Sequence, residues 1–165
     1  MKNLYVIPGW CDTTGRKPYS ELCEIARKKG YNVIKKNPQW DEPLSKQIFP
    51  IFKNDVIFGF SLGAIFACMV AKKSAHKKVI AASMSPVLDV PDQTLRMLGR
   101  AVATDCKRFK YGGVKAVYLY GEREVDESLD KIRTLAKNAG SHLKIVPGGC
   151  HRLDTEYIKH IAREL

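Results

Sequence analysis

A serine between two glycines forms the most informative motif of the chain, Gly59-Phe60-Ser61-Leu62-Gly63. The strand-like run Asp55–Phe58 precedes it and the apolar segment Leu62–Lys73 follows it, so we expect the motif on a turn between a buried strand and a buried helix. Such a turn strains the serine backbone and holds its hydroxyl beyond the carboxyl end of the strand. The pattern predicts a nucleophilic Ser61. The alternative is a tight glycine-rich turn in which Ser61 only caps the helix.

A nucleophilic serine needs a general base, and the chain contains four histidines. His151 lies in a glycine-rich loop after the last predicted strand, which places it at the carboxyl edge of a parallel sheet, where the serine is also expected. His142 and His76 precede predicted strands and belong to the opposite edge, while His160 lies in the final predicted helix. The sequence therefore predicts His151 as the base. The alternative is an ordinary histidine in a surface loop.

The acid that orients the base is expected after the preceding predicted strand, which ends near Gly121. Three carboxylates follow this glycine, at Glu122, Glu124 and Asp126. Glu124 is the first choice and Asp126 the second, because Asp126 could instead cap the helix that follows. Glu122 is expected to be solvated. The three candidate groups then occur in the order serine, acid, histidine.

Strand and helix signals alternate along the whole chain, which predicts a parallel sheet covered by helices in a single domain, residues 1–165. Helices are indicated by apolar stripes that begin at Tyr19, Leu62, Leu129 and Ile158, the last of them capped by Asp154. The stretch Pro86–Val114 is less regular; it predicts a helix near Asp92–Ala103 and then a basic loop, Lys107–Gly113. The six runs that predict strands are Leu4–Pro8, Asn32–Lys36, Val56–Phe60, Val79–Ser83, Ala116–Tyr120 and Leu143–Val146.

The chain resembles the α/β-hydrolase superfamily over nearly its whole length. The resemblance rests on Gly59–Gly63, Gly121–Glu124, Gly149–His151 and Ile7–Trp10. It implies a three-layer sandwich with a six-stranded parallel sheet in the order 2-1-3-4-5-6, helices on both faces, and a site between strands 1 and 3. The chain departs from the family in two ways: its acid is Glu rather than Asp, and only the short segment 86–113 occupies the place of a large cap domain.

The resemblance also implies a function and a division of roles. Ser61, His151 and Glu124 (or Asp126) would form the triad of a carboxylesterase-type serine hydrolase that cleaves a small ester, thioester or amide. The backbone N–H groups of Leu62 and Trp10 would form the oxyanion hole, with Cys11 as an alternative donor. The competing interpretation is a catalytically silent protein of the same fold that binds a partner or a small ligand.

The excess of basic residues is compatible with binding to nucleic acid, to an acidic membrane surface or to an anionic substrate, and also with a role in solubility alone. The chain of 165 residues carries 28 Lys and Arg against 17 Asp and Glu, a net charge of +11. One basic group lies in the segment expected to border the pocket, and it motivates the hypothesis of an anionic substrate; its members are Arg96, Arg100, Lys107, Arg108 and Lys110. Other lysines are expected at helix ends far from Ser61, where they favour solubility. Trp40 is expected either to line the pocket or to cover the sheet.

Several other classes of protein are disfavoured. Five widely spaced cysteines without C-x-x-C argue against a disulfide framework or a zinc site, and a cysteine nucleophile at Cys11 or Cys150 is a minor alternative. The first strand is followed by no phosphate-binding glycine motif, so we expect no nucleotide cofactor. Scattered basic pairs give no specific signal for nucleic acid, although an RNA-associated protein is a third interpretation. The apolar runs are too short for a signal peptide or a membrane span, which predicts a cytoplasmic protein.

Overall fold

Parallel strands and helices alternate in the computed structural model, which describes residues 2–76, 78–84, 100–108, 114–124 and 126–165, without the side chains at 100, 101, 107, 108, 126 and 127. The strands are β1 (Lys2–Ile7), β2 (Tyr31–Lys35), β3 (Val56–Phe60), β4 (Lys78–Ala82), β5 (Val117–Gly121) and β6 (His142–Val146). The helices are α1 (Lys17–Lys28), α2 (Leu62–Lys72), α3 (Arg100–Arg108), α4 (Asp126–Asn138) and α5 (Thr155–Glu164), with a 3-10 turn at Leu44–Lys46.

The six strands form one parallel sheet in the order β2-β1-β3-β4-β5-β6, which confirms the expected order. Because all strands run in the same direction, their carboxyl ends lie at one edge: Phe60 is in register with Ala82, and Gly121 with Val146. The chain leaves β1 on one side to form β2 and returns on the other side to form β3. Ligands of open α/β sheets bind at the crevice that such a reversal creates.

Two apolar layers cover the two faces of the sheet, because successive side chains of a strand point to opposite sides. On one face, Tyr5 and Ile57 pack with α2, α3 and α4. On the other, Leu4 and Phe58 pack with α1 and α5. Helix α2 is buried along almost its whole length, which explains why its sequence is apolar nearly all round.

The predicted strand boundaries lie within two residues of the observed ones, and Asp154 caps α5 as predicted, accepting hydrogen bonds from the backbone of Glu156 and Tyr157 at 3.1 Å each. The prediction of a loop at Lys107 and Arg108 is wrong, because α3 continues to Arg108. The reason is packing: Val102 and Cys106, one helical turn apart, are both buried against the sheet and extend the helical stripe.

The rest of the predicted cap-position segment 86–113, including most of the expected helix near Asp92–Ala103, lies outside the described residues, and so do Arg96 and Lys110. The described residues contain no helix long and apolar enough to cross a membrane.

Candidate active site

Ser61 lies on a sharp turn between β3 and α2, with φ 54° and ψ −123°. An L-residue rarely adopts this conformation, and such strain is concentrated at functional sites. Its backbone N–H donates to Ala82 O at 2.9 Å in β4, which anchors the turn to the sheet. The Ser61 side chain makes no capping hydrogen bond to the described backbone of α2, so the interpretation of Ser61 as a helix cap is not supported.

Two glycines allow this turn to pack. A Cβ atom at Gly63 would lie 2.7 Å from Ile7 O and closer still to Pro8 O, and one at Gly59 would overlap the backbone of Gly63. Helix α2 therefore begins in direct backbone contact with the end of β1. The G-x-S-x-G spacing is a requirement of close packing at this point.

His151 reaches the serine from the loop after β6. The distance from Ser61 Oγ to His151 Nε2 is 2.9 Å. The imidazole lies beside the ring of Phe60, with ring centroids 5.8 Å apart, and about half of the His151 side chain is exposed. The base candidate is thus held between the sheet and solvent, where it can exchange a proton with a substrate.

Glu124 completes a continuous hydrogen-bonded chain from the serine. Its Oε2 atom lies 3.0 Å from His151 Nδ1, and its Oε1 atom accepts a hydrogen bond from Gly121 N at 2.9 Å. Only 3% of the Glu124 side chain is exposed, against 51% of the His151 side chain. A buried carboxylate behind an accessible imidazole can fix the orientation of the ring and stabilise its charged form.

Two further side chains contact this carboxylate, and the sequence prediction missed both. The hydroxyl of Ser83, directly after β4, lies 2.6 Å from Glu124 Oε2 and 2.8 Å from His151 Nδ1. The hydroxyl of Tyr157 in α5 donates to Glu124 Oε1. Ser83 carried a usable signal, since it is a polar residue that ends an apolar strand at the edge where Ser61 was predicted. Tyr157 carried none, because it lies within the apolar stripe of its helix.

These contacts keep the carboxylate charged despite its burial. Burial alone raises the pKa of Glu124, but hydrogen bonds from His151, Ser83, Tyr157 and Gly121 outweigh it, and the net pKa lies below the ordinary value. Burial and the neighbouring Glu124 carboxylate raise the pKa of Tyr157 well above its ordinary range, so Tyr157 remains a hydrogen-bond donor.

The other candidates occupy different positions. Asp126 is the first residue of α4, and its side chain lies outside the described residues. Glu122 is exposed and accepts a hydrogen bond from Gly148 N at 2.7 Å, which ties the loop before His151 to the loop after β5. The remaining histidines are elsewhere: His142 begins β6 at the opposite edge, His76 precedes β4, and His160 lies in α5.

An open cavity of about 440 Å³ lies beside Ser61 and His151. Its lining is partly apolar and includes two arginines and an aspartate. Trp40 is not among its lining residues; it packs against the apolar layer that contains α2, and so covers the sheet. The residues that line the cavity are Gly9, Trp10, Asp12, Arg16, Pro18, Phe60, Ser61, His151, Arg152 and Leu153.

The two predicted oxyanion-hole residues belong to different segments near Ser61. Leu62 is the first residue of α2, and the first N–H groups of a helix have no partner within the helix. Trp10 lines the cavity, and the preceding Gly9 comes so close that a Cβ atom there would be 3.2 Å from Ser61 Cβ. Both residues thus belong to segments that border the serine; their role stays a prediction.

Among the described residues, no group of three or more His, Cys, Asp or Glu side chains could hold a metal ion. Cys11 is exposed and Cys150 is partly buried. Within the described part of the chain, the His151 side chain forms hydrogen bonds with Ser61, Ser83 and Glu124 and with neither thiol.

Comparison with known proteins gives matches of structure only. No protein-family model and no curated protein sequence matches the chain. A putative hydrolase from Agrobacterium vitis S4 matches with a TM-score of 0.76 at 12% identity, covering 99% of this chain and 86% of that one. Alpha/beta hydrolase domain-containing protein 10 from mouse matches with a TM-score of 0.73 at 11% identity, covering 98% and 87%. A structure from work on carboxylesterases of the thaumarchaeon Nitrososphaera gargenis matches with a TM-score of 0.68 at 12% identity, covering 99% and 88%. At such identities the likeness is one of fold.

Proposed function

We propose that this chain, which has the α/β-hydrolase fold, is a serine hydrolase that cleaves a small ester, thioester or amide through an acyl-enzyme on Ser61. The observation that carries the proposal is the unbroken hydrogen-bonded chain from Ser61 through His151 to Glu124, with distances of 2.9 and 3.0 Å, on a serine whose φ is 54°. The fold neighbours described as a putative hydrolase and as carboxylesterases support the same reaction class.

In the acylation step that we propose, the Ser61 hydroxyl is the donor to Nε2 of His151, which lies 2.9 Å from Ser61 Oγ. As Ser61 Oγ attacks the acyl carbon, its proton moves to Nε2, and the resulting imidazolium is stabilised by the buried charge of Glu124. The imidazolium then protonates the leaving alcohol, thiol or amine, and the acyl group remains on Ser61. Water completes the cycle: His151 accepts a proton from it, the new oxygen attacks the acyl carbon, and Ser61 Oγ recovers the proton as the acid product leaves.

The negative charge of the tetrahedral intermediate needs donors on the far side of the acyl carbon. The N–H of Leu62 stands at the start of α2, where the helix dipole also favours negative charge. The N–H of Trp10 belongs to the loop whose Gly9 packs against Ser61. We assign these two groups to the oxyanion hole, in which each donor typically contributes a hundredfold or more to the rate, roughly 2.7–4 kcal/mol.

The cavity favours a small acyl substrate that carries a negative charge. Arg16 pairs with Asp12 at 3.1 Å, so these two charges offset each other. Arg152 is exposed, and the described residues provide no carboxylate partner for it. The rim beside His151 therefore has a net positive charge, and we propose an ester or thioester with an acidic group that lies near Arg152. From the sequence this role was expected of five residues of segment 86–113: Arg96, Arg100, Lys107, Arg108 and Lys110. Arg96 and Lys110 lie outside the described residues, and so do the side chains of the other three.

Intact mass after treatment with a fluorophosphonate tests the proposal directly. Ser61 Oγ should displace fluoride from phosphorus and give a single adduct on the wild type and none on Ser61→Ala. Turnover of an activated ester should fall by about a millionfold in Ser61→Ala if this serine is the nucleophile. Ser141→Ala is the matched control, because Ser141 lies between α4 and β6 at the opposite edge, where its hydroxyl bonds to backbone atoms of the described residues Val114, Ala116 and Ala139.

An adduct that persists in Ser61→Ala would contradict the assignment of the nucleophile. A folded wild type that forms no adduct would contradict the proposal as a whole and favour a silent binding protein with this fold.

A further inference from the structure

We propose that Ser83 is a positioning residue that fixes the tautomer and the orientation of His151. The inference rests on the proposed function for its effect on catalysis, but the tautomer itself can be measured without a substrate. Ser83 would then be a fourth member of the hydrogen-bonded group formed by Ser61, His151 and Glu124.

The backbone directs the Ser83 hydroxyl inward. Ser83 follows β4, its N–H donates to Leu119 O at 2.8 Å in the neighbouring β5, and its φ is 48°. A left-handed conformation is unfavourable for an L-residue that is neither Asn nor Gly, so surrounding interactions must hold it in place. The side chain is completely buried, and its hydroxyl contacts both members of the acid–base pair.

Only one arrangement of protons satisfies these contacts. Glu124 Oε2 is charged and can only accept, so the Ser83 hydroxyl must donate to it across 2.6 Å. The Ser83 oxygen can then only accept from Nδ1 of His151, at 2.8 Å, while the same N–H also points at Glu124 Oε2, at 3.0 Å. The neutral imidazole must therefore carry its proton on Nδ1, which leaves the lone pair of Nε2 directed at Ser61.

The other donors to Glu124 do not act on this oxygen. The Tyr157 hydroxyl and the Gly121 N–H both donate to Oε1, the other oxygen of the carboxylate. Besides the His151 N–H itself, Ser83 is the described donor at Oε2, the carboxylate oxygen that contacts His151. Without its hydroxyl, the imidazole would keep one acceptor in place of two and could rotate or exchange tautomers more freely.

Nitrogen-15 NMR of labelled histidine tests the inference on the protein alone. The wild type should show His151 as the Nδ1–H tautomer, with a slowly exchanging Nδ1 proton. Ser83→Ala should show a mixture of tautomers or rapid exchange of this proton, whereas Ser141→Ala should resemble the wild type. Ser83→Gly separates the effect of the hydroxyl from that of the backbone conformation, because glycine adopts positive φ freely. This variant should behave like Ser83→Ala. An unchanged Nδ1 signal in both Ser83 variants would overturn the proposal.

Kinetics supply a second readout on an activated ester. Loss of a hydrogen bond to a charged group should lower kcat by roughly ten- to a hundredfold, with KM unchanged, because the contact orients the base and does not touch the substrate. When Glu124→Gln is already present, adding Ser83→Ala should lower kcat by less than about twofold, because the two residues act as one unit. If the loss of kcat in the double variant equalled the product of the two single losses, Ser83 would have a merely structural role.

The outcomes also separate the two proposals. A wild type without a fluorophosphonate adduct contradicts the hydrolase, and the NMR experiment still decides the role of Ser83. A labelled wild type whose Ser83 variants keep both the Nδ1 signal and the full rate contradicts the Ser83 inference and leaves the hydrolase intact.

Discussion

Replacement of Gly63 by alanine should lower the reactivity of Ser61 in a protein that still folds. Gly63 is the second residue of α2, and a Cβ atom there would lie 2.7 Å from Ile7 O and closer to Pro8 O. These atoms are backbone, so they cannot rotate away as a flexible side chain could. Because ordinary contacts begin near 3.4 Å, the start of α2 and the loop after β1 must separate by about 1 Å.

This separation acts on the two segments that border the serine. Ser61 directly precedes α2, and Trp10 lies two residues after Pro8, which Gly63 contacts. The nucleophile and one proposed oxyanion donor therefore move apart. A misplacement of about 1 Å lowers catalytic rates by roughly a hundredfold. The stability change is smaller, since overpacking costs about 1–3 kcal/mol and the better helix propensity of alanine offsets up to about 1 kcal/mol.

The assay compares the rate of fluorophosphonate labelling and kcat on an activated ester with the free energy of unfolding in urea. Gly15→Ala is the matched control, because its Cβ atom would meet only Thr13 Oγ1, at 3.6 Å. A Gly63→Ala protein that labels within about threefold of the wild-type rate would refute the argument that backbone contact at this glycine sets the position of Ser61.

Three other changes test separate parts of the site. Arg152→Ala should raise KM for a carboxylate-bearing ester by about two- to fivefold relative to a neutral ester, which is the range for an exposed charge pair. Arg27→Ala, at the far end of α1, is the control and should leave this ratio unchanged. Equal effects of Arg152→Ala on both esters would contradict the proposed anionic group. Burial raises the pKa of Glu124, but its hydrogen bonds keep it below the ordinary value of 4.5, so its charge stabilises the fold above pH 4.5 and this contribution is lost as the pH falls through the lowered pKa. The loss of unfolding free energy caused by Glu124→Gln should therefore shrink in acid, and a difference that does not depend on pH would show that the carboxylate charge is not involved. Asp154→Ala removes the cap of α5, and urea titration should show a loss of about 1 kcal/mol with KM unchanged; an unaltered unfolding midpoint would mean that the cap contributes nothing.

The sequence predicted Ser61 and His151 as candidates because their positions follow from local signals. A serine between glycines at the junction of two apolar runs indicates a strand-to-helix turn, and a histidine after the last strand of a parallel sheet must lie at the same edge. Glu124 and Asp126 were harder to separate, since both follow β5 closely. The structure brings Glu124 to His151 through a turn in which Glu124 N donates to Gly121 O at 3.2 Å, and it places Asp126 at the start of α4.

The alternation of apolar strands and helices, together with the family resemblance, determined the architecture and the strand order. The backbone conformation of single residues could not be obtained in this way. Ser83 contacts the acid–base pair only because its φ is positive and because β4 lies between β3 and β5. Tyr157 reaches Glu124 from a helix 33 residues further along the chain. Local patterns specify which elements form and which edge they end at. The direction in which one hydroxyl points depends on how those elements pack, and this was decided by the tertiary structure.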